Sequence, residues 1–401
     1  MRGLILPLSV VLSPLAAMAA VQQGLAVLAP AYTAAAGLAP EAVGLVGGLS
    51  GLGSVWFFAA TGAILPVLGP VRALIWACLL AAGAALLFLP ASAWLIFLAA
   101  PLVGFGYAAT APAGSQILSA HTPRRLWGTL FSIRQSGVPA GAAVAGVLGA
   151  GLAAVADWRV GLAALAALPL LAALFLATRR APFRPGPMEG RLRLRAVAAP
   201  GNLRRPFLVL AATPGLWRLV VASLGFAAVQ GSAFTFLTTY LTDGVGLSLA
   251  MAGTLFATMQ GASFLGRVAI GFLADRSGST RGALLVLGPV SAGAAMLLTV
   301  ASPTVPVAAL FAGAIVIGAS VATWNGLYLA EVAGLAEGTR VSEVTAAATF
   351  FTFLAYMATP PLFAAAVRLA GYDAAFFTVA ALVLMTTLAL LRRRGGGGRA
   401  R

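Results

Sequence analysis

The sequence Gly-Phe-Leu-Ala-Asp-Arg-Ser-Gly-Ser-Thr-Arg at residues 271–281 has a counterpart 209 residues earlier, Gly-Ala-Ile-Leu-Pro-Val-Leu-Gly-Pro-Val-Arg at residues 62–72. The two stretches share both glycines and the final arginine. The same offset relates three further positions, which are Gly37, Leu38 and Gly44 in the first copy and Gly246, Leu247 and Gly253 in the second. Six matches in one register indicate that the chain consists of two halves of shared ancestry.

The composition excludes a soluble protein of this length. Hydrophobic residues make up 61% of the 401 residues and charged residues only 8%, whereas a soluble domain carries roughly 25% charged residues. Apolar runs long enough to cross a bilayer as a helix, about 20 residues, recur along the whole chain. We number them as spans 1 to 12: residues 6–30, 42–64, 72–90, 94–117, 127–153, 159–178, 215–240, 250–273, 282–301, 305–329, 344–368 and 373–391. The sequence therefore predicts an all-α membrane protein with twelve spans in two six-helix bundles.

A basic segment separates the two predicted bundles. The bundles are residues 1–178 and 215–391, the linker is residues 179–214, and an Arg/Gly tail follows at residues 392–401. The linker is rich in proline and holds eight arginines against one acid, so it cannot bury itself in lipid. We expect it to lie against the anionic headgroups of the cytoplasmic leaflet. A topology signal with only weak surface adhesion is the alternative.

All 25 basic residues are arginines, and with 9 acidic residues they give a formal charge of +16. They lie in short gaps between apolar runs rather than on one continuous face, which excludes nucleic acid as a partner. By the positive-inside rule the linker and both termini are cytoplasmic, in an inner (plasma) membrane. The N-terminal apolar stretch continues to about Ala29 and is too long for a cleaved signal peptide.

The stretch at residues 271–281 resembles the loop motif of the major facilitator superfamily, Gly-X-X-X-Asp-Arg-X-Gly-X-X-Arg. Its better copy here joins spans 8 and 9, because the copy between spans 2 and 3 has Pro66 where the family has Asp. Gly137-Val-Pro139-Ala-Gly141 resembles the family's glycine–proline motif on span 5, where we expect these residues to pack helices. The resemblance implies the twelve-helix facilitator fold, a substrate site between the halves, rocking-type alternating access and a monomer.

The resemblance also implies a gate. Glycines in the motif let helices approach closely, and Asp275 can pair with an arginine or with the positive end of a neighbouring helix. In the family such contacts lock the cytoplasmic ends, and Pro66 makes the lock rest mainly on Asp275. A tight solvated turn without a gating role is the alternative. The expected gate residues are Gly62, Gly69, Arg72, Gly271, Asp275, Arg276, Gly278 and Arg281.

Two arginines lie inside predicted spans, Arg134 in span 5 and Arg267 in span 8, at similar depths of roughly 12 Å and 9 Å from the cytoplasmic ends. Buried charges in a membrane are costly and mark functional sites. Arg267-Val-Ala-Ile-Gly271 resembles span 8 of monocarboxylate porters, where the arginine contacts the substrate carboxylate, although Ser263 stands where those porters often have Asp. Residues 132–139 resemble span 5 of cyanate-type anion permeases. The alternative is that both arginines extend to the inner interface, Arg267 pairing with Asp275.

Neutral polar side chains within the spans complete the predicted substrate site. A polar residue at depth needs a partner or a watery cavity. The adjacent glutamines of span 1 point about 100° apart, so only one of them faces the cavity. Structural hydrogen bonds between helices are the alternative for each residue. These residues are Gln22, Gln23, Tyr107, Gln230, Asn325 and Tyr328.

The absence of acidic residues well inside any predicted span argues against a proton-coupled exporter of cationic drugs. Residues 99–106 of span 4 also lack the arginine that the family uses in proton coupling. With one cysteine, Cys78, and one histidine, His121, the sequence predicts no metal site, no cofactor and no enzyme. We predict a carrier of a small organic anion, such as a carboxylate. An exporter of neutral or amphipathic compounds is the alternative, and a non-transporting membrane sensor is a remote one.

Overall fold

The computed structural model describes residues 2–38, 42–180, 183, 192–241, 245–247, 249–299, 301, 304–338 and 340–391, and their regular structure is helical throughout. Within these residues, nine helices are long and apolar enough to cross a membrane by length and composition. The shorter apolar helix Pro70–Leu86, the helix Leu249–Ser277 and a kink that divides the last long helix complete twelve spans. The predicted tail, residues 392–401, and linker residues 181–182 and 184–191 lie outside the described part.

The helices follow the predicted spans within a few residues, but several spans are broken into shorter helices. Spans 1 to 6 are Arg2–Val27; Ala42–Leu68; Pro70–Leu86; Ala93–Ala108 with Thr110–His121; Trp127–Gln135 with Gly137–Val144, the π-helical Ala145–Ala150 and Gly151–Val155; and Trp158–Arg179. Spans 7 to 12 are Leu216–Thr239; Leu249–Ser277; Thr280–Leu298; Val307–Val321 with Trp324–Ala333; and Arg340–Thr387, in which non-helical Gly371 separates spans 11 and 12. A short helix, Ala29–Ala35, follows span 1.

The backbone carries the sequence repeat into three dimensions. Gly69 and Gly278 both have positive φ, 71° and 66°, at the turns after spans 2 and 8. Gly37 and Gly246, the other pair of matching glycines with positive φ, have values of 65° and 82°. Residues with a Cβ rarely adopt this left-handed conformation. The matched glycines therefore make equivalent corners in the two halves.

Within each half, backbones approach too closely for side chains. Gly53 of span 2 faces the carbonyl oxygen of Pro101 in span 4, and Gly318 of span 10 faces the carbonyl oxygen of Met259 in span 8, with no room for a Cβ at either glycine. The hydroxyl of Ser54 donates to the carbonyl oxygen of Gly104 at 2.9 Å. Small residues at helix crossings allow this packing in a membrane, where helices gain little from hydrophobic burial against one another.

The described part of the linker does not lie free below the bundles. It forms the helix Leu194–Val197, a 3₁₀ turn Pro200–Arg204 and the helix Arg205–Ala212. The indole of Trp56 in span 2 donates to the carbonyl oxygen of Val197 at 3.1 Å. Phe207 packs edge-on against Phe350 and Phe351 of span 11. Residues 194–212 therefore pack against spans 2 and 11. The contact of the linker with anionic headgroups stays a prediction.

Candidate substrate site and gate

A small cavity of about 50 Å³ lies between the halves in the middle of the bundle. This space has room for roughly three or four water molecules. Spans 1, 2, 4 and 5 contribute one side of its wall and spans 10 and 11 the other. The lining residues are Leu15, Phe58, Tyr107, Ala108, Thr110, Ala111, Arg134, Gln135, Asn325, Tyr328, Leu329, Thr349, Thr352, Phe353 and Tyr356. Four of the predicted substrate residues thus line this one cavity, Tyr107 and Arg134 from the first half and Asn325 and Tyr328 from the second.

Arg134 is completely buried at this cavity. Its Nη2 donates to the carbonyl oxygen of Thr110 at 2.6 Å, whereas Nε and Nη1 have no hydrogen-bond partner among the described residues. A Cβ at Gly114 would lie 2.6 Å from Nε, so this glycine makes the space that the guanidinium occupies. Arg134 lies seven residues from the start of its helix at Trp127, about 10 Å at 1.5 Å per residue.

Arg267 is 3% exposed and reaches across to the other half. Its Nε donates to Ser263 Oγ at 3.3 Å, and its Nη1 donates to the carbonyl oxygen of Gln135 at 3.0 Å. Because span 8 continues to Ser277, Arg267 lies ten residues from that end, about 15 Å. Its guanidinium meets the carbonyl of Gln135, the residue next to Arg134, so the two arginines lie at about the same level of the bundle, as their predicted depths imply.

Neither buried arginine has a carboxylate partner in the part of the chain that the structure describes. The ion pairs found there are Arg159 with Asp157 and Arg205 with Glu343. Tyr107 lines the same cavity as Arg134, and Arg267 bonds the neighbouring Gln135. Two positive charges thus lie close together, and among the described residues no acid pairs with either of them.

A polar cluster fixes the wall contributed by the second half. Gln230 Oε1 accepts hydrogen bonds from Trp324 Nε1 at 2.8 Å, Asn325 Nδ2 at 3.1 Å and the hydroxyl of Tyr356 at 2.8 Å. Gln230 itself does not line the cavity, although it orients Asn325 and Tyr356, which do. Tyr328 accepts a hydrogen bond from the hydroxyl of Thr352 at 3.3 Å. The predicted Gln230 and Tyr328 therefore belong to two hydrogen-bonded groups, which meet where the rings of Trp324 and Tyr328 pack edge-on.

The glutamines of span 1 lie elsewhere. Span 1 begins at Arg2, so Gln22 and Gln23 fall in its last six residues rather than near its middle. Neither lines the central cavity. Gln22 Oε1 is buried and without a hydrogen-bond partner among the described residues. Their placement does not bring them to the arginines.

Sequence reasoning missed the contribution of span 11. Thr345, Thr349, Thr352 and Tyr356 recur at intervals of four, three and four residues, the spacing of one helix face. The last three line the cavity. This polar stripe on an otherwise apolar helix was a readable signal for a cavity face.

Asp275 closes the two halves at one membrane face. We call this face the linker side, because the linker lies there. The same side holds the loops after spans 2, 4, 8 and 10, the start of span 1 and the end of span 12. The carboxylate of Asp275 accepts hydrogen bonds from the backbone N–H groups of Gly128 at 2.9 Å and Thr129 at 2.7 Å. These N–H groups belong to the first turn of span 5, where unpaired donors and the helix dipole favour a negative charge. Of the two contacts considered for Asp275, the one with the start of a neighbouring helix forms, and the ion pair with Arg267 does not.

Close backbone packing accompanies this contact. A Cβ at Gly271 would lie 2.6 Å from the carbonyl oxygen of Gly128. Ser132 of span 5 is completely buried between Gly271 of span 8 and Gly326 of span 10. Spans 5, 8 and 10 therefore meet with almost no space between them on the linker side.

The matching position in the first half is built differently. Pro66, the counterpart of Asp275, is exposed. The guanidinium of Arg205, from the linker, lies against Gly62 and leaves no room for a Cβ there. Arg205 Nε also pairs with Glu343 Oε1 of span 11 at 3.1 Å. An arginine from the linker thus lies between spans 2 and 11, where the first half lacks its own acid.

The remaining motif residues have local roles. Arg281 donates through Nε to the carbonyl oxygen of Leu390 at the end of span 12, at 2.8 Å. Arg72 and Arg276 are exposed.

The glycine–proline motif packs span 5 against span 1. Gly141 faces the carbonyl oxygen of Ala16 with no room for a Cβ. A Cβ at Gly137 would lie 3.0 Å from the side chain of Leu12. Pro139 is buried in the same helix.

No group of three or more His, Cys, Asp and Glu side chains suited to a metal ion occurs within the described ranges. The chemistry that the site offers is hydrogen bonding and positive charge in a space shielded from solvent. Twelve membrane spans in two repeated halves, with a cavity lined by polar side chains between them and close packing on one side, are the architecture of a membrane transporter.

The comparisons identify the family. The model of the Major Facilitator Superfamily matches residues 12–355, and the chain belongs to that family. Among solved structures, the chain resembles the human organic anion transporter MFSD10 (TETRAN), with 19% identity over 96% of this chain and 99% of that one and a TM-score of 0.74.

Two bacterial structures are comparably similar. A variant of the E. coli fucose:proton symporter FucP has 15% identity over 96% of this chain and 98% of its own, with a TM-score of 0.72. A bacterial homologue of the iron transporter ferroportin in the outward-facing state has 16% identity over the same shares, also with a TM-score of 0.72. No curated protein sequence matches this chain significantly.

Proposed function

We propose that this transporter carries a small organic anion, a mono- or dicarboxylate, and that Arg134 and Arg267 bind it. The observation that carries the proposal is the guanidinium of Arg134, which is completely buried at the cavity with two nitrogens unpaired among the described residues. An uncompensated charge at such a depth is strongly unfavourable. A carboxylate would supply both the negative charge and paired acceptors for the planar fork of N–H donors.

The charge pattern around the cavity supports an anion over a cation. The lining residues include an arginine, hydroxyl groups and an amide, and no Asp or Glu. Arg267 adds a second positive charge beside the cavity, because it bonds the carbonyl oxygen of Gln135, which is a lining residue. A cationic substrate would meet repulsion from both guanidinium groups at close range.

The size and shape of the cavity support a small substrate over an amphipathic drug. An exporter of large apolar compounds would need a wide apolar cavity and arginines turned to the linker side. The central cavity measures about 50 Å³ and both arginines are buried. The solved structures of similar fold include carriers of fucose and of organic anions and a homologue of an iron transporter. The fold therefore does not determine the substrate, and the proposal rests on the side chains around the cavity.

We further propose that the linker side faces the cytoplasm of the cell and that the carrier works as a monomer. The arginines of the described linker, among them Arg193, Arg195 and Arg204, are exposed on that side. An anionic leaflet attracts such a segment. The halves would rock about the central cavity, so that a bound anion meets one side and then the other.

The test is binding and flux with matched arginine variants. Purified protein would be screened by thermal shift against carboxylates, organic cations and neutral drugs, because a ligand that binds the folded state raises the melting temperature. Wild type would be compared with Arg134→Gln, Arg134→Lys and Arg267→Gln, with Arg159→Gln as the control on an exposed side chain. Uptake of the stabilising compound into proteoliposomes would follow.

We expect carboxylates to stabilise the wild type and the Arg159→Gln control. Either glutamine variant should lose this stabilisation, and Arg134→Lys should keep only part of it, because an ammonium group cannot bind a carboxylate as a planar fork does. Stabilisation by cations or neutral drugs alone, unchanged in the glutamine variants, would reject an anion carrier.

A further inference from the structure

Span 5 has an orphaned backbone carbonyl at the level of the cavity. In an α-helix the carbonyl of Gln135 would accept a hydrogen bond from the N–H of residue 139. That residue is Pro139, which has no N–H. The helix accordingly ends at Gln135 and a new helix begins at Gly137. The Gln135 carbonyl is thus left without its intrahelical donor within a membrane span, where an unpaired carbonyl is unfavourable.

The donor that replaces the missing N–H comes from the other half of the protein. Arg267 Nη1 lies 3.0 Å from the Gln135 carbonyl oxygen. Its other described hydrogen bond stays within span 8, to Ser263 one turn earlier. The bond to Gln135 is therefore the one by which Arg267 ties span 8 to span 5.

We propose that Pro139 is a positioning residue that makes the Gln135 carbonyl available to Arg267, and that this hydrogen bond is a latch that holds the linker side closed until an anion takes the guanidinium. The part of the proposal that concerns the anion rests on the proposed function. The bond between the halves does not. Gln135 lines the cavity on one side and lies two turns from the contact of Asp275 with Gly128 on the other, so the latch connects the substrate site to the gate.

The latch can respond to substrate because the two acceptors that compete for the guanidinium of Arg267 bind it with different strength. A neutral carbonyl is a weaker acceptor for a guanidinium than a carboxylate. An anion in the cavity competes for Arg267 and releases span 5, whereas the empty carrier keeps the bond. The empty carrier therefore resists opening on the linker side, which favours exchange or co-transport over leakage.

The experiment measures opening of the linker side in the absence of substrate. The buried cysteine is first removed by Cys78→Ala, and Ser132→Cys places a thiol in the packed interface of spans 5, 8 and 10. A bulky thiol reagent reaches this position only when the interface opens. Labelling rates are compared in this background for Pro139→Ala, Arg267→Gln and the double variant. Pro169→Ala, a buried proline inside span 6, is the matched control.

Pro139→Ala restores an N–H that competes with Arg267 for the Gln135 carbonyl. We expect labelling to rise about tenfold in Pro139→Ala and in Arg267→Gln, the factor that one hydrogen bond to a charged group is worth. The double variant should label no faster than the faster single variant, because both changes remove the same bond. Arg267→Lys, which keeps a donor, should restore part of the slow labelling, and Pro169→Ala should label as the background does.

Two outcomes would overturn the latch. The first is labelling of Pro139→Ala at the background rate. The second is effects that multiply in the double variant, since Pro139 would then act through the bend of span 5 alone. If Pro139→Ala does not yield folded protein, Pro139→Ser restores the same N–H and takes its place in the comparison.

A separate arm tests the anion. Adding the carboxylate that stabilises the wild type should speed labelling in the background protein and have little further effect in Pro139→Ala. Latch behaviour without any response to carboxylates would reject the proposed substrate class and leave the latch intact. A response to carboxylates without the latch behaviour would reject the latch and support the proposed substrate class.

Discussion

Replacing Asp275 by Asn should weaken the contact between spans 8 and 5 without changing the size of the side chain. The carboxylate accepts two backbone hydrogen bonds, at 2.9 Å from Gly128 and 2.7 Å from Thr129. An amide has one acceptor oxygen, so it keeps one of these bonds and turns an NH₂ group towards the other donor. It also loses the negative charge at the start of span 5.

The free energy lost in Asp275→Asn follows from the loss of one hydrogen bond and of the negative charge at the helix end. A hydrogen bond to a charged group contributes about 1.5–3 kcal/mol, and a charge at a helix end contributes about 0.3–1 kcal/mol. Asp275 is half-buried, so solvent screening reduces both contributions. We expect a net loss of about 1–2 kcal/mol, which shifts the ratio of closed to open linker side by roughly 5–30-fold.

The assay is thiol labelling of Ser132→Cys in the Cys78→Ala background, with Arg276→Gln as the control on an exposed neighbour of Asp275. Faster labelling in Asp275→Asn, with the control unchanged, is the expected result. If Asp275→Asn labels as slowly as the control, the loop after span 8 is a solvated turn and the gate lies elsewhere.

Three further changes test the packing and the site. Gly318→Ala should lower the melting temperature, because overpacking costs about 1–3 kcal/mol, whereas Gly313→Ala on the same helix, where a Cβ meets nothing within 4 Å, should leave it unchanged; equal effects would contradict the close helix crossing. Gln230→Leu should destabilise the protein because it leaves three donors without their acceptor, and the buried indole N–H of Trp324 alone costs about 1–3 kcal/mol when unpaired; a melting temperature equal to that of the wild type would show that water replaces the amide. Ser263→Asp should place a carboxylate beside Arg267 and weaken carboxylate binding at least roughly tenfold in the thermal-shift titration, because the new charge occupies the guanidinium; unchanged affinity would separate Arg267 from the substrate.

The repeat and the apolar runs predicted the fold because each reflects a requirement that acts locally along the chain. Gly69 and Gly278 are required by a backbone corner, and a run of about 20 apolar residues is required by the bilayer, so both can be read without knowing any neighbour. The breaks within spans were also readable in part. Pro139 in span 5 signals a missing hydrogen bond.

The candidate site was less predictable because it depends on neighbours from distant parts of the sequence. Arg134 and Arg267 stand out by charge, but their partners are the carbonyls of Thr110 and Gln135, and a carbonyl has no sequence signature. Span 1 starts four residues before its predicted beginning, which moved Gln22 away from the centre. The position of the linker against spans 2 and 11 depends on a crevice that only the packed bundle creates.

The two halves of the repeat differ at the positions that hold the linker side closed. Phe58 stands at the repeat position of Arg267, and it packs against Phe353 of span 11 with ring centroids 5.0 Å apart. Pro66 stands at the position of Asp275.

The interface of spans 2 and 11 is therefore held at these two levels by aromatic packing and by Arg205 of the linker, whereas the interface of spans 5 and 8 is held by hydrogen bonds to charged groups. An anion competes directly for a guanidinium but does not compete with the edge-to-face contact of two phenyl rings. If the substrate is an anion, as proposed, its binding would release spans 5 and 8 while spans 2 and 11 stay packed. We therefore predict that the interface of spans 5 and 8 responds to the substrate and that the interface of spans 2 and 11 serves as the hinge about which the halves rock.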